Sequence, residues 1–318
     1  MKLCITSGTY VSRYGIRDGY RMIREAGFEA IDWTIDVAWK FSEVLEAERL
    51  ENLCIFEKSQ EEIAAHYAEE LAEIRANGLT ISQAHAPFES YCHDRPEFSE
   101  YAIRVYRGMI PFLDSVGCKH LIIHGMTKNE KMEDLSYEDT VRINLHLYES
   151  LIPELRAAKT LKVCLENLPT DNFLLGRSFW EGCCSDPHVA AEWVDYLNDK
   201  AGKECFGICM DTGHLNVLRK PFHFYVPIVG KRIIALHLHD NLQNSDSHLI
   251  PYVGAVKWKD LLVELGKIGY EGDLSFECGN NFAPLRLPDA LVPAFSRAVV
   301  EIGEYFRDRI QAAKGETK

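Results

Sequence analysis

Residues Lys162-Val163-Cys164-Leu165-Glu166-Asn167-Leu168 form a short apolar run, rich in β-formers, that closes on a carboxylate. An amphipathic helical stretch precedes it over 138–158 and another follows over 190–198, so the run reads as one strand of a repeated strand–helix unit. The same alternation continues outward to both ends. Strands are expected at 3–6, 30–35, 80–84, 120–124, 162–166, 207–211, 233–237 and 273–277. Helical periodicity covers 20–26, 61–77, 100–116, 138–158, 190–198, 258–268 and 290–311. Gly27, Gly78, Gly117 and Gly269 stand where helix gives way to strand, since glycine tolerates the left-handed conformation that stops a helix. Eight such units predict an α/β fold, a single (β/α)8 TIM barrel spanning 1–318 with 311–318 as a frayed polar tail. Two longer inserts, 39–59 and 170–187, interrupt the rhythm and read as lids or interface elements.

Composition narrows the function classes. Hydrophobic residues make up 47% and charged residues 26% of the 318, which suits a globular domain and neither a disordered nor a membrane chain. No apolar run reaches the length of a membrane span, and Met1-Lys2-Leu3-Cys4-Ile5-Thr6-Ser7 lacks the apolar core of a secretory signal. A cytoplasmic protein with no membrane partner is therefore expected. A net charge of −13 without any cluster of Lys and Arg disfavours nucleic acid as a partner. The ten cysteines are scattered through strand-like segments with no zinc-ribbon pair, so reduced, buried thiols are expected. Cys183-Cys184 stands in a loop-like stretch, where incidental thiols are the plainer reading and reactive ones the alternative.

The chemistry lies where ionisable residues fall relative to the strands. His85, His124, Glu166, Asp211, His214, His237 and Glu277 all sit at or just past the C-terminal end of an apolar run. In a parallel barrel those ends share one face, the face that carries the active site. A lone histidine at a strand end is ordinarily structural. Seven converging acids and imidazoles need a cation to offset their repulsion and lost solvation. The foremost four are Glu166, Asp211 of Asp-Thr-Gly-His, His237 of His-Leu-His-Asp-Asn and Glu277 of Phe-Glu-Cys-Gly. Three carboxylates and an imidazole suit a divalent metal, Mn²⁺, Mg²⁺, Co²⁺ or Zn²⁺, with positions left for substrate oxygens.

These motifs resemble the xylose-isomerase-like barrel superfamily over nearly the whole chain, sharpest at Leu165-Glu166-Asn167, Asp211-Thr212-Gly213-His214, His237-Leu238-His239-Asp240-Asn241 and Phe276-Glu277. That superfamily includes tagatose and psicose 3-epimerases, hydroxypyruvate isomerase, inositol-catabolism isomerases and dehydratases, and endonuclease IV. The resemblance implies an enzyme, a sugar isomerase or epimerase, in which Glu166, Asp211, His237 and Glu277 hold the metal. Glu166 and Glu277 would then act as the acid/base pair around an enediolate. His237 is preferred to His239 as the ligand because His237 and Asp240 match the family's His-x-x-Asp pattern. His85, His124, His214, His239 and His248 are then expected to meet a small sugar or polyol substrate.

The endonuclease IV comparison opens a second reading. His85, His124, Asp246 and His248 match positions that bind additional zinc ions there, and paired metals suit phosphodiester cleavage at abasic sites. The acidic balance ranks this reading second; a dehydratase or lyase of the same superfamily and a non-catalytic scaffold are the remaining alternatives. Trp33, Phe88, Trp180 and Trp258 read as packing residues, with stacking on a sugar as their functional alternative. Pro251-Tyr252-Val253-Gly254 resembles the family's Pro-Gly-x-Gly turn with Tyr252 in place of its first glycine. No glycine-rich turn feeding a helix is evident for a phosphate, which favours an unphosphorylated substrate. The long inserts also suit pairing of copies into a homo-oligomer.

Overall fold

Each expected strand forms in the computed structural model, which describes residues 1–35, 54–87, 91–92, 96–129, 133–172, 178–283 and 286–316. The strands are β1 (Leu3–Thr6), β2 (Ala30–Thr34), β3 (Thr80–His85), β4 (His120–Ile123), β5 (Lys162–Glu166), β6 (Phe206–Asp211), β7 (Ile233–His237) and β8 (Leu274–Phe276). They pair in parallel in chain order from β1 to β7, and β8 returns beside β1. Between β7 and β8 the ring closes through a parallel bridge, Leu238 to Phe276, with Leu238 N donating to Ser275 O at 2.8 Å and Glu277 N to Leu238 O at 3.1 Å.

Alternation along the strands sorts the side chains into two layers. Leu121, Ile123, Val163, Leu165, Ile208, Met210 and Leu236 join the core beneath the helices, whereas Ile122, Cys164, Cys209 and Ala235 form a small separate cluster inside the ring. The other half of the interior is polar, with Asp32, Ser82, Gln83 and Ser275 all buried. A narrow barrel leaves room inside only for small or well-paired side chains.

Helices fill the connections: α1 (Gly8–Ala26), α2 (Gln60–His66), α3 (Ala68–Ala76), α4 (Pro96–Ser115), α5 (Tyr137–Glu149), α6 (Ile152–Ala157), α7 (Pro187–Ala201), α8 (Thr212–Val217), α9 (Phe222–Val229), α10 (Trp258–Lys267) and α11 (Val292–Glu316). The stretch expected as one helix over 138–158 is two, broken before Pro153, which stands in the first turn of α6, where a proline ring is best accommodated. The expected tail is corrected: α11 runs on to Glu316, because buried Ala313 packs against Gly266 of α10. Residues 36–53, which take in most of the first insert, residues 173–177 of the second, and Phe88 lie outside the described residues. The insert at 170–187 carries an antiparallel hairpin, Pro169–Asn172 with Ser178–Glu181.

Trp33 and Trp258 are buried and spend their indole N–H groups on Glu70 and Asp240, as packing residues. Trp180, half exposed, stands over a separate cavity of about 410 Å³ that Cys183 and Cys184 also line. Cys4, Cys54, Cys118, Cys164, Cys183, Cys184, Cys205, Cys209 and Cys278 are all buried and outside any disulfide. No helix among the described residues is long and apolar enough to cross a membrane.

Candidate metal centre

The strand ends are fixed by side chains that complete the backbone pattern where pairing stops. Asn167, just past β5, accepts from Asp211 N at 2.8 Å and donates to Asp211 O at 3.0 Å, so it extends the ladder by one rung and sets Glu166 beside Asp211. Asp211 in turn is the N-cap of α8, with Oδ1 accepting from His214 N at 2.7 Å. Gly213 has no room for a side chain, since a Cβ there would lie 2.0 Å from Cε1 of His239. Asp240, the acid of His-x-x-Asp, accepts from the backbone N–H groups of Tyr252 and Val256 and from the Trp258 indole. It therefore anchors the 251–254 turn, where Tyr252 takes up the left-handed conformation (φ 74°) that a glycine adopts freely.

Far-apart residues meet at this rim. Glu166, Asp211, His237 and Glu277 each bring one donor atom within 4.8 Å of the others. His85, His124 and Glu166 make a second group, and His239, Asp246 and His248 a third, joined to the first through Asp211, His214 and His239. His124 Nε2 lies 2.8 Å from Glu166 Oε2 and 3.0 Å from His85 Nε2. His237 Nδ1 lies 2.9 Å from Glu166 Oε1 and 3.4 Å from Glu277 Oε2.

The imidazoles are oriented from behind. His85 Nδ1 pairs with Ala86 O at 2.7 Å, His214 Nδ1 with Asn167 O at 3.0 Å and His248 Nδ1 with Glu277 O at 3.0 Å. A carbonyl can only accept, so in each ring Nδ1 carries a proton and Nε2 is the nitrogen that faces the cluster, the arrangement that metal-binding histidines use once Nε2 has given up any proton of its own. Glu166 Oε2 and Asp246 Oδ1 are buried there without a hydrogen bond of good geometry. Buried acceptors left open beside inward-facing imidazole nitrogens fit a divalent cation.

Electrostatics point the same way. Burial works to raise Glu166, Asp211 and Asp246, but the imidazoles around them prevail and hold all three below the ordinary carboxylate range. Conversely, burial works to lower His214, His237 and His248, yet neighbouring acids raise all three, His248 up to about 10.

The cluster forms the inner end of a cavity of about 1300 Å³. His85, His124, His214, Asp246, His248 and Glu277 stand on its wall. His239 does not. Expected to meet substrate, it is fully buried, bonds Asp211 Oδ2 at 2.9 Å and stacks on His248 at 4.0 Å. Asp32 escaped the sequence reading because it stands inside β2 rather than at its end; a charged residue within an apolar run was the available signal. Among the described lining residues are six carboxylates, Asp32, Glu69, Glu70, Glu166, Asp246 and Glu277, and no Lys or Arg.

Comparison with known proteins matches residues 20–291 to the family model of the xylose isomerase-like TIM barrel. An uncharacterized protein, y4fM of Sinorhizobium fredii, is 20% identical over 281 residues, 83% of this chain and 81% of that one. The crystal structure of D-psicose 3-epimerase in the presence of D-fructose superposes with a TM-score of 0.67 at 13% identity, covering 96% of this chain and 99% of that one. That of the IOLI protein with a binding zinc atom also gives a TM-score of 0.67, at 16% identity over 98% and 99% of the two chains.

Proposed function

The chain belongs to the xylose isomerase-like TIM barrel family, and on that premise we propose that it is a divalent-metal-dependent sugar isomerase or epimerase acting on a small, uncharged sugar or polyol-derived ketone. The observation that supports this most is the convergence of Glu166, Asp211, His237 and Glu277 within 4.8 Å, with Glu166 and Glu277 lining a large acidic cavity. A divalent ion held by these four, Mn²⁺, Mg²⁺, Co²⁺ or Zn²⁺, would polarise a substrate carbonyl and acidify the adjacent carbon-bound proton.

The rest of the chemistry falls to the chain. Glu277, whose side chain is 24% exposed on the cavity wall, takes the carbon-bound proton. Glu277 then returns that proton to the neighbouring carbon in an isomerisation; in an epimerisation Glu166, held ionised at rest by His124 and His237, first takes up a proton from solvent and gives that proton to the opposite face of the enediolate. His214 and His248 present Nε2 to substrate hydroxyls. The small apolar cluster within the barrel closes the floor beneath them and keeps bulk water from that side.

Incubation with a panel of ketoses and aldoses in D₂O tests the reading. Deuterium should enter at a carbon beside the carbonyl, and Glu277→Gln should slow its entry by about 10²- to 10⁴-fold. Absence of exchange into every sugar, or full exchange by Glu277→Gln, would overturn the reading. Loss of water from the product instead would identify the dehydratase variant of the same proton abstraction.

A second reading, phosphodiester cleavage, is favoured by the additional His85–His124–Glu166 and His239–Asp246–His248 groups. The absence of Lys and Arg among the described lining residues ranks it lower, because phosphates are ordinarily met by such side chains. Three tightly bound zinc ions together with cleavage of an abasic-site duplex would reverse the order.

A further inference from the structure

Asp32 is a buried acid on the cavity that belongs to none of the four groups of possible metal ligands among the described residues. It lies on β2 at a register shift, between Ile31 and Asp32, in the pairing with β3. Such irregularities re-aim a side chain. Only 1% of Asp32 is exposed; its Oδ1 is buried without a hydrogen-bond partner, so Oδ2 carries the donors that a carboxylate this deep requires. Its Oδ2 has two close ones: Gln83 Nε2 at 2.9 Å and His237 Nε2 at 3.1 Å, with Ser275 Oγ farther off at 3.4 Å. Gln83 also reaches Leu236 O at 3.4 Å, next to His237 in β7. β2, β3, β7 and β8 thus all converge behind one imidazole.

That imidazole differs from its neighbours in what orients it. His85, His214 and His248 are each held by a backbone carbonyl, which no substitution removes. His237 is held by the side chain of Asp32. An ionised carboxylate can only accept, so Nε2 of His237 donates to Asp32 and Nδ1 to Glu166 at 2.9 Å; Nδ1, which also faces Glu277, is the nitrogen that a metal ion would take when the ring gives up its second proton. We propose that Asp32 is a positioning residue for metal binding: it fixes the tautomer and rotation of His237 so that the Nδ1 lone pair meets the point shared by Glu166, Asp211 and Glu277. The inference rests on the metal-dependent reading above and adds to it a residue that touches neither substrate nor metal.

Asp32→Asn keeps the shape and removes the charge. With nitrogen or oxygen facing His237 it no longer enforces one tautomer, and loss of such an outer partner weakens metal binding by about 10- to 100-fold. Direct titration of the metal-free protein with Zn²⁺ and with Mn²⁺ reads this, independent of turnover. Ser275→Ala, which leaves the Asp32–His237 bond in place, should change the affinity by less than about threefold on the same scale. Wild-type affinity in Asp32→Asn would overturn the proposal while leaving the metal reading intact, and absence of any divalent-ion binding by the wild type would sink both. Should Asp32→Asn fail to fold, ring-¹⁵N spectra of the zinc-loaded wild type decide: a proton on Nε2 of His237 supports the assignment, and a proton on Nδ1 overturns it.

Discussion

Glu166 and Glu277 are both carboxylates of the central group, yet their surroundings assign them unequal work. Glu166 is 1% exposed and engaged by His124 and His237, whereas Glu277 is open to the cavity. Glu166→Gln should therefore lower metal affinity as well as deuterium exchange, while Glu277→Gln should lower exchange more than it lowers affinity; equal losses of affinity in the two variants would refute this division. His120, at the opposite end of the barrel in β4, gives a pH test free of the site. Burial and Lys119 lower it from 6.5 to about 4. Below pH 6.5 the unfolded chain takes up a proton that the folded chain refuses until about pH 4, so stability falls across that window and levels off beneath it. Between pH 7 and pH 5, His120→Gln should lose about 1–2 kcal/mol less than the wild type in chemical denaturation with a chelator present. Residues at strand ends, such as Glu166, Asp211 and His237, were legible because a charge closing an apolar run marks both the strand's end and its barrel face. Asp32 and His239 were not, because their roles depend on which ring nitrogen or carboxylate oxygen they meet across the barrel.

At the scale of elements, Asp211 shows how one side chain serves both a helix and a site. Its Oδ1 caps α8 through His214 N, while Oδ2 meets His239. Asn caps a helix about as well as Asp, and Ala does not cap. Metal-free Asp211→Asn should therefore be more stable than metal-free Asp211→Ala by about 1 kcal/mol, although both lose metal affinity. Denaturant titration of the two variants checks the first statement and metal titration the second; equal stabilities would remove the capping role. α8 was also among the elements the sequence hid. Thr-Gly-His-Leu-Asn-Val over 212–217 is six residues long, contains a glycine, and is buried throughout, so it has no polar face to reveal a helical period. α9 has Pro227 within it and likewise lacks a clean stripe. The eight strands were legible because barrel strands are short, apolar and separated by helices with polar faces, whereas helix ends and splits depend on local contacts such as that between Ala313 and Gly266.

On the scale of the whole molecule, His85 on β3 and Glu277 after β8 stand at opposite ends of the chain's central span, and the closed ring of strands brings both to the wall of one cavity. The unfolded chain offers no comparable site, so a divalent ion should stabilise the folded state. At a hundredfold excess over Kd the gain is about 2.7 kcal/mol, a melting shift of several degrees for a chain of this size. The sign of its pH dependence follows from the imidazoles. Neighbouring acids raise His214 and His237 against the effect of burial and hold His248 at about 10, so protons compete with the ion for these rings. Metal binding must release those protons, and its affinity rises with pH. The shift on adding Mn²⁺ or Zn²⁺ should therefore be larger at pH 8 than at pH 6, and it should saturate with one tight ion per chain, the outer histidine groups binding more weakly because each offers one carboxylate against the centre's three. Differential scanning calorimetry at both pH values, with metal analysis after dialysis, measures shift and stoichiometry together. A shift independent of pH would mean that the imidazoles are not ligands, and three ions retained per chain would transfer the argument to phosphodiester chemistry.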